Sequence, residues 1–257
     1  MEMNFDINDY GIGKRPLWAI FASVLIFCAL AVYIFGSVAF GEGSRILPIY
    51  SVETPEKKVA ITFNCAWKPD DIPEILSVLE KYEAKATFFI LGQWAKDNPE
   101  MVKMIADSGH EIGTHSNTHP DMAKISMDEA KKELSRSCEY IEKAGGGKPN
   151  LFRAPSGSYS SELIKTAAEM GFTSIQWDVD SRDWKNKTAG EMVESVTKNI
   201  RRGSIVLFHS GKENTLEALP QILEILKNGG YEFVKVSDLI YSENYTIDHT
   251  GRQFSIG

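Results

Sequence analysis

From residue 59 onward, short apolar runs of strand composition alternate with helical patterns, and that alternation restricts the chain to a mainly parallel sheet crossed by helices. The runs are VAITF (59–63), ATFFIL (86–91), HEIGT (110–114), NLFRA (150–154), TSIQW (173–177), SIVLF (204–208) and EFVKV (232–236). Helix starts between them carry capping boxes, in which a short polar side chain takes a free backbone N–H and an acid three residues later reaches back. Asp71 with Glu74, Ser126 with Glu129 and Thr188 with Glu191 fit this pattern. Such β/α units have right-handed crossovers and build an open sheet or a barrel. The polar residues favour the barrel. Asn64 and Cys65, His115, Arg153, the group Asp178, Asp180 and Asp183, and His209 all fall at or after strand ends. Side chains there converge only on a common rim, so the expectation is an α/β barrel with its site at the top face.

Ahead of this pattern, LWAIFASVLIFCALAVYIFG (17–36) carries no charge and is long enough to cross a bilayer as a helix. Lys14 and Arg15 precede it, so the positive-inside bias predicts a cytoplasmic N-terminus (1–16) and one transmembrane signal-anchor helix (17–39). Everything beyond about residue 40 is then extracytoplasmic, at the cell surface or a forespore envelope. Ser37-Val38-Ala39 is similar to a signal-peptidase site, and secretion after cleavage near Ala39 is the alternative. A polar linker (40–56) leads into the main domain (57–240) and a C-terminal tail (241–257). A net charge of −7 argues against nucleic acid as a partner, because phosphate binders concentrate Lys and Arg. Of the three cysteines, Cys28 lies inside the apolar run, which leaves Cys65 and Cys138 as the only possible disulfide pair.

Four motifs carry chemistry. HSNTH (115–119) sets two imidazoles four residues apart across a turn, within reach of one cation; a surface turn closed by Pro120 is the other reading. FRAPSGSY (152–159) brings Arg153 to a strand end, either to serve a site or to pair with a nearby acid. WDVDSRDW (177–184) places three carboxylates between two indoles, as site residues or as loop caps and core. IVLFH (205–209) ends a strand in His209, which an acid such as Asp183 would orient as a general acid.

The order of a TF strand end, H-S-x-x-H, R-x-P, D-x-x-D-W and a strand-terminal L-x-H resembles the polysaccharide deacetylases of the NodB-homology type, carbohydrate esterase family 4, over about residues 57–240. The anchored layout and the TFNCAW variant are similar to the sporulation-associated members. The resemblance implies a distorted (β/α)7 barrel and a metal-dependent hydrolase that removes N-acetyl groups from amino-sugar polymers of the cell wall or spore wall, peptidoglycan included. It implies His115 and His119 as metal ligands, Arg153 as the residue that holds the base, and Asp183 as the partner of His209, the general acid. Trp184 matches a wall of the acetyl pocket, with Ser156 and Tyr159 expected beside the substrate.

The chain departs from the family at its first motif, Thr-Phe-Asp-Asp, whose first Asp is the base and whose second completes the metal triad. Asn64 and Cys65 stand there instead. Asn64 accepts no proton at neutral pH. A thiolate is a common zinc ligand, so Cys65 with His115 and His119 predicts a Cys-His-His zinc site; an inert core thiol is the alternative. Asp70 is a conceivable replacement base, whereas Asp71 is assigned to the helix cap. The expectation is therefore a deacetylase of altered or reduced activity. The alternatives are a non-catalytic relative that binds glycan or an envelope partner, and a hydrolase with Cys65 as nucleophile and His209 as base.

Overall fold

A computed structural model describes residues 45–257 of the protein. The apolar run at 17–36 lies outside the described residues, and among those described no helix is long and apolar enough to cross a membrane. Residues Ile46–Gly257 form one compact unit.

Its centre is β2 (Lys58–Cys65), flanked by β3 (Ala86–Ile90) and β8 (Ile205–His209), both parallel to it, with Asn64 opposite Phe89 on one side and His209 on the other. The sheet continues outward from β3 through β4 (Glu111–Thr114), β5 (Leu151–Phe152) and β6 (Thr173–Ser174), and from β8 to β7 (Val179–Asp180). A short β9 (Glu232–Phe233) pairs with the start of β2. Every pairing in this sheet is parallel. The expected (β/α) barrel is thus present but open, since β6 and β7 end the sheet on either side without bonding to each other. All seven expected strands form, the shorter ones trimmed to two residues.

Strand alternation sorts β2 into two faces. Ile61, Phe63 and Cys65 enter the layer between sheet and helices, packed with Ile72, Ile75 and Leu79 of α1 (Ile72–Lys81) and with Leu219 and Ile222 of α7 (Thr215–Asn228). Ala60 turns the other way and packs with Phe89, Leu151 and Ile205 in the interior. Thr62 donates to the Val206 carbonyl, and Asn64 reaches the interior end of the same face. Phe63 stacks on Phe88 at 5.0 Å between centroids and meets Phe208 at 5.6 Å.

The linker and tail expected at 40–56 and 241–257 are structured where they are described. β1 (Ser51–Val52) pairs with β11 (Arg252–Ser255), which pairs with β10 (Tyr245–Ile247), and this small sheet buries Val52 and Gln253 completely. Its strands are short and mixed in polarity, so their pairing partners rather than any local pattern make them strands. The Ser126 and Thr188 capping boxes both form, at the starts of α4 (Met127–Lys143) and α6 (Ala189–Thr197). The Asp71 box does not: its side chain makes no cap bond to α1. Cys65 and Cys138 are both free, each buried in a different apolar cluster, so the disulfide is excluded within the described residues.

Candidate active site

The C-terminal ends of β2, β4 and β8 and the turns after β5 and β7 enclose a cleft of about 270 Å³. His115 follows β4 and is fully buried, and its Nδ1 lies 2.8 Å from the Arg153 carbonyl. A carbonyl only accepts, so Nδ1 carries the proton and Nε2 keeps its lone pair. Burial pushes the His115 pKa well below its ordinary value, so the ring is neutral. His119 is reached through a turn with Ser116 and His119 at positive φ. Glu133 on α4 closes that turn by accepting from Asn117 N, Thr118 N and Thr118 Oγ1 at 2.8–2.9 Å. The two imidazoles line the cleft with centroids 5.2 Å apart, and burial lowers the pKa of His119 as well. Glu133 escaped the sequence reading because nothing local links it to HSNTH.

The third donor of the expected zinc site is not there. Cys65 lies on the helix-facing side of β2, opposite to Asn64, because successive strand residues point to opposite faces. Burial pushes its thiol up to about 12, the value of a protonated core cysteine. Asn64 Oδ1 is taken by Arg153, and among the described residues no three His, Cys, Asp or Glu side chains are arranged to hold a metal ion. Two imidazoles without a thiolate or carboxylate fall short of the three protein ligands of a catalytic zinc site. The residues present therefore do not fit the Cys-His-His centre, and the Cys65 assignment is corrected to a packing role. The same burial removes Cys65 as a nucleophile.

Arg153 sits behind Asn64, wholly buried. Nη1 donates to Asn64 Oδ1 at 3.0 Å and Nη2 to the Gln176 carbonyl at 3.1 Å, and the guanidinium lies 4.0 Å from the Phe89 centroid. Nε has no partner, and burial pulls its pKa well below the usual arginine value. A guanidinium placed to grip a carboxylate thus grips a neutral amide.

His209 ends β8. Its Nδ1 is 2.6 Å from Asp183 Oδ1, and its backbone N–H donates to Asp183 Oδ2, also at 2.6 Å. Thr215 Oγ1 adds a third bond to that carboxylate at 3.2 Å. The three carboxylates of WDVDSRDW therefore part company. Asp178 is structural, accepting from Ile205 N, Ser204 Oγ and Arg201. Asp180 lines the cleft and closes the loop by accepting from Arg182 N and Trp184 Nε1. Asp183 alone reaches His209.

Trp184 and Ser156 line the cleft, Ser156 in a left-handed conformation. Tyr159 does not: its hydroxyl meets Tyr50 Oη at 3.1 Å, which corrects its assignment to substrate. Trp177, the first indole of WDVDSRDW, and Trp67, which the sequence reading left out of the site, complete the aromatic walls. Asp70 is exposed on the loop before α1 and is not among the lining residues.

A sequence model of the polysaccharide deacetylases matches residues 51–175. A peptidoglycan-N-acetylglucosamine deacetylase of Bacillus cereus is 37% identical over 196 residues, covering 74% of this chain and 92% of that protein. The chain belongs to the polysaccharide deacetylase family. The uncharacterized protein YlxY of Bacillus subtilis is 35% identical over 193 residues, 75% of this chain; the chain spans 60% of that relative's length. Among solved structures, a CE4 family pseudoenzyme from Bacillus anthracis superposes with a TM-score of 0.72 at 38% identity, covering 75% of this chain and 68% of that one. A mutant of that pseudoenzyme has restored enzymatic activity.

Within this member of the polysaccharide deacetylase family, Asp71 leaves its helix to accept from Gly211 N at 2.7 Å, lacing the loop after β2 to the loop after His209. Its other oxygen has no partner, and burial, ahead of any other cause, raises its pKa. A carboxyl whose folded pKa exceeds the unfolded value of about 4 contributes stability below that pH and loses it as pH rises through the folded value. Asp71→Asn therefore gains thermal stability over wild type at pH 7 and loses that advantage at pH 3. Scanning calorimetry at both pH values reads the difference; a gap that does not change with pH would contradict it.

Proposed function

We propose that the chain is a slow N-deacetylase of cell-wall amino-sugar polymers, of the peptidoglycan or spore-wall type. The observation that carries this reading is the complete His209–Asp183 pair beside an aromatic-walled cleft in a chain of this family. Asp183 binds both Nδ1 and the main chain of His209, so the ring is held with Nε2 as its only free nitrogen. That nitrogen is the group that hands a proton to the amine leaving a cleaved acetamide, while water supplies the oxygen of the released acetate. Asn64, at the base position, takes no proton from that water, which lowers the rate by about 10² to 10⁴. No metal step enters this scheme. The apolar 17–36 run supports a domain tethered outside the membrane, or released near Ala39.

Purified full-length chain incubated with N-acetylated peptidoglycan strands and with N-acetylglucosamine oligomers should release acetate slowly, and His209→Ala should cut that release at least 10²-fold. A second reading, a glycan binder without turnover, is favoured by the neutral amide facing Arg153 and by the incomplete donor set. Glycan binding with no acetate release above a protein-free control would establish it over the first.

A further inference from the structure

We propose that Trp67 and Lys212 form a subsite for a carboxylate-bearing sugar, so that the preferred polymer is an acidic amino-sugar strand rather than a neutral N-acetylglucosamine chain. This rests on the glycan reading above and narrows its substrate. Trp67 is 41% exposed, unusual for so large an apolar side chain, and faces the cleft edge-on to His209 at 5.0 Å between ring centroids. Its main chain is held, since Trp94 Nε1 donates to its backbone carbonyl at 2.7 Å. An exposed indole beside His209 is a platform for the C–H face of a pyranose.

Lys212 makes the platform selective. Its Nζ stands 3.8 Å from the Trp67 ring centroid, and it makes no ion pair among the described residues. The placement is built rather than incidental. Gly211, at φ +72, packs on the loop after β2 so closely that a Cβ would meet the Lys68 carbonyl oxygen at 2.7 Å, and its N–H is the one bound by Asp71. The loop that carries Lys212 is thereby held against the loop that carries Trp67.

Lys212 is the cation that carries this preference, since the carboxylates at the cleft, Asp180 and Asp183, are already engaged by Arg182 N, Trp184 Nε1 and His209. A sugar that lays its ring on Trp67 and offers a carboxylate to Lys212 satisfies both groups, whereas a neutral sugar satisfies only the indole.

Three probes at equal length separate the outcomes: a peptide-free strand of alternating N-acetylglucosamine and N-acetylmuramic acid with free carboxylates, the same strand with its carboxylates converted to methylamides, and an N-acetylglucosamine oligomer. Binding to the full-length chain is followed by calorimetry and tryptophan fluorescence. The acidic strand should bind about 10-fold more tightly than the methylamide, the size of one charge-assisted contact, and lose its advantage as salt rises. Lys212→Gln should lower its affinity to that of the methylamide, and Lys212→Arg should keep the preference. Equal affinity for the acidic and methylamide strands, or a preference that persists in Lys212→Gln, overturns the subsite and leaves the glycan reading intact. Failure of all three probes to bind overturns both.

Discussion

Asn64→Asp raises acetate release from peptidoglycan strands by about 10² to 10⁴, the usual contribution of a general base. The change replaces a single heavy atom, the amide nitrogen of Asn64, by an oxygen. Asn64 Oδ1 accepts from Arg153 Nη1 at 3.0 Å, and Asn64 lines the cleft that His209 closes on the other side. A carboxylate in that place faces a buried guanidinium that makes no other side-chain hydrogen bond among the described residues and exchanges a neutral hydrogen bond for a charge-assisted one. Such a partner holds the folded pKa of the new carboxyl below its unfolded value. Its stabilisation is therefore present above about pH 4 and lost as pH falls through the folded value. Acetate assays with unfolding curves at pH 7 and pH 3 read both consequences. An unchanged rate in a folded, more stable Asn64→Asp variant would refute the hydrolase reading and leave the non-catalytic binder.

The largest loss of stability is expected at Phe63. Its ring is fully buried between Phe88 and Phe208, on the strand that ends in Asn64. Phe63→Ala removes those contacts and opens a cavity flanked on both sides by paired strands, which limits collapse. The cost is about 3 to 5 kcal/mol, and the Tm falls by about 6 to 20 °C in a domain of this size. Denaturant unfolding measures it directly. A loss below about 1 kcal/mol would mean that this layer is not packed as described.

Much of the site was legible because its residues stand at the ends of periodic apolar runs. His115, His119, Arg153, Asp183 and His209 all reach one rim once those runs become parallel strands. Cys65 was misread because being near the rim was taken to mean facing it, whereas alternation along β2 sends neighbouring residues to opposite sides. Trp67 and Lys212 were passed over since they lie 145 positions apart and nothing in either segment announces the other.

The sequence by itself determined the alternating elements, the Ser126 and Thr188 caps and the neutral amide at residue 64. These depend on periodicity or on bonds spanning three residues. Only the tertiary structure decided that Asp71 serves Gly211 rather than its own helix, that 245–255 folds back onto 51–52, and that Cys65 is core. A carboxylate has several N–H donors within reach and an apolar residue has several layers to enter. Which of them is occupied depends on the packing of segments distant in the chain, and no local pattern records it.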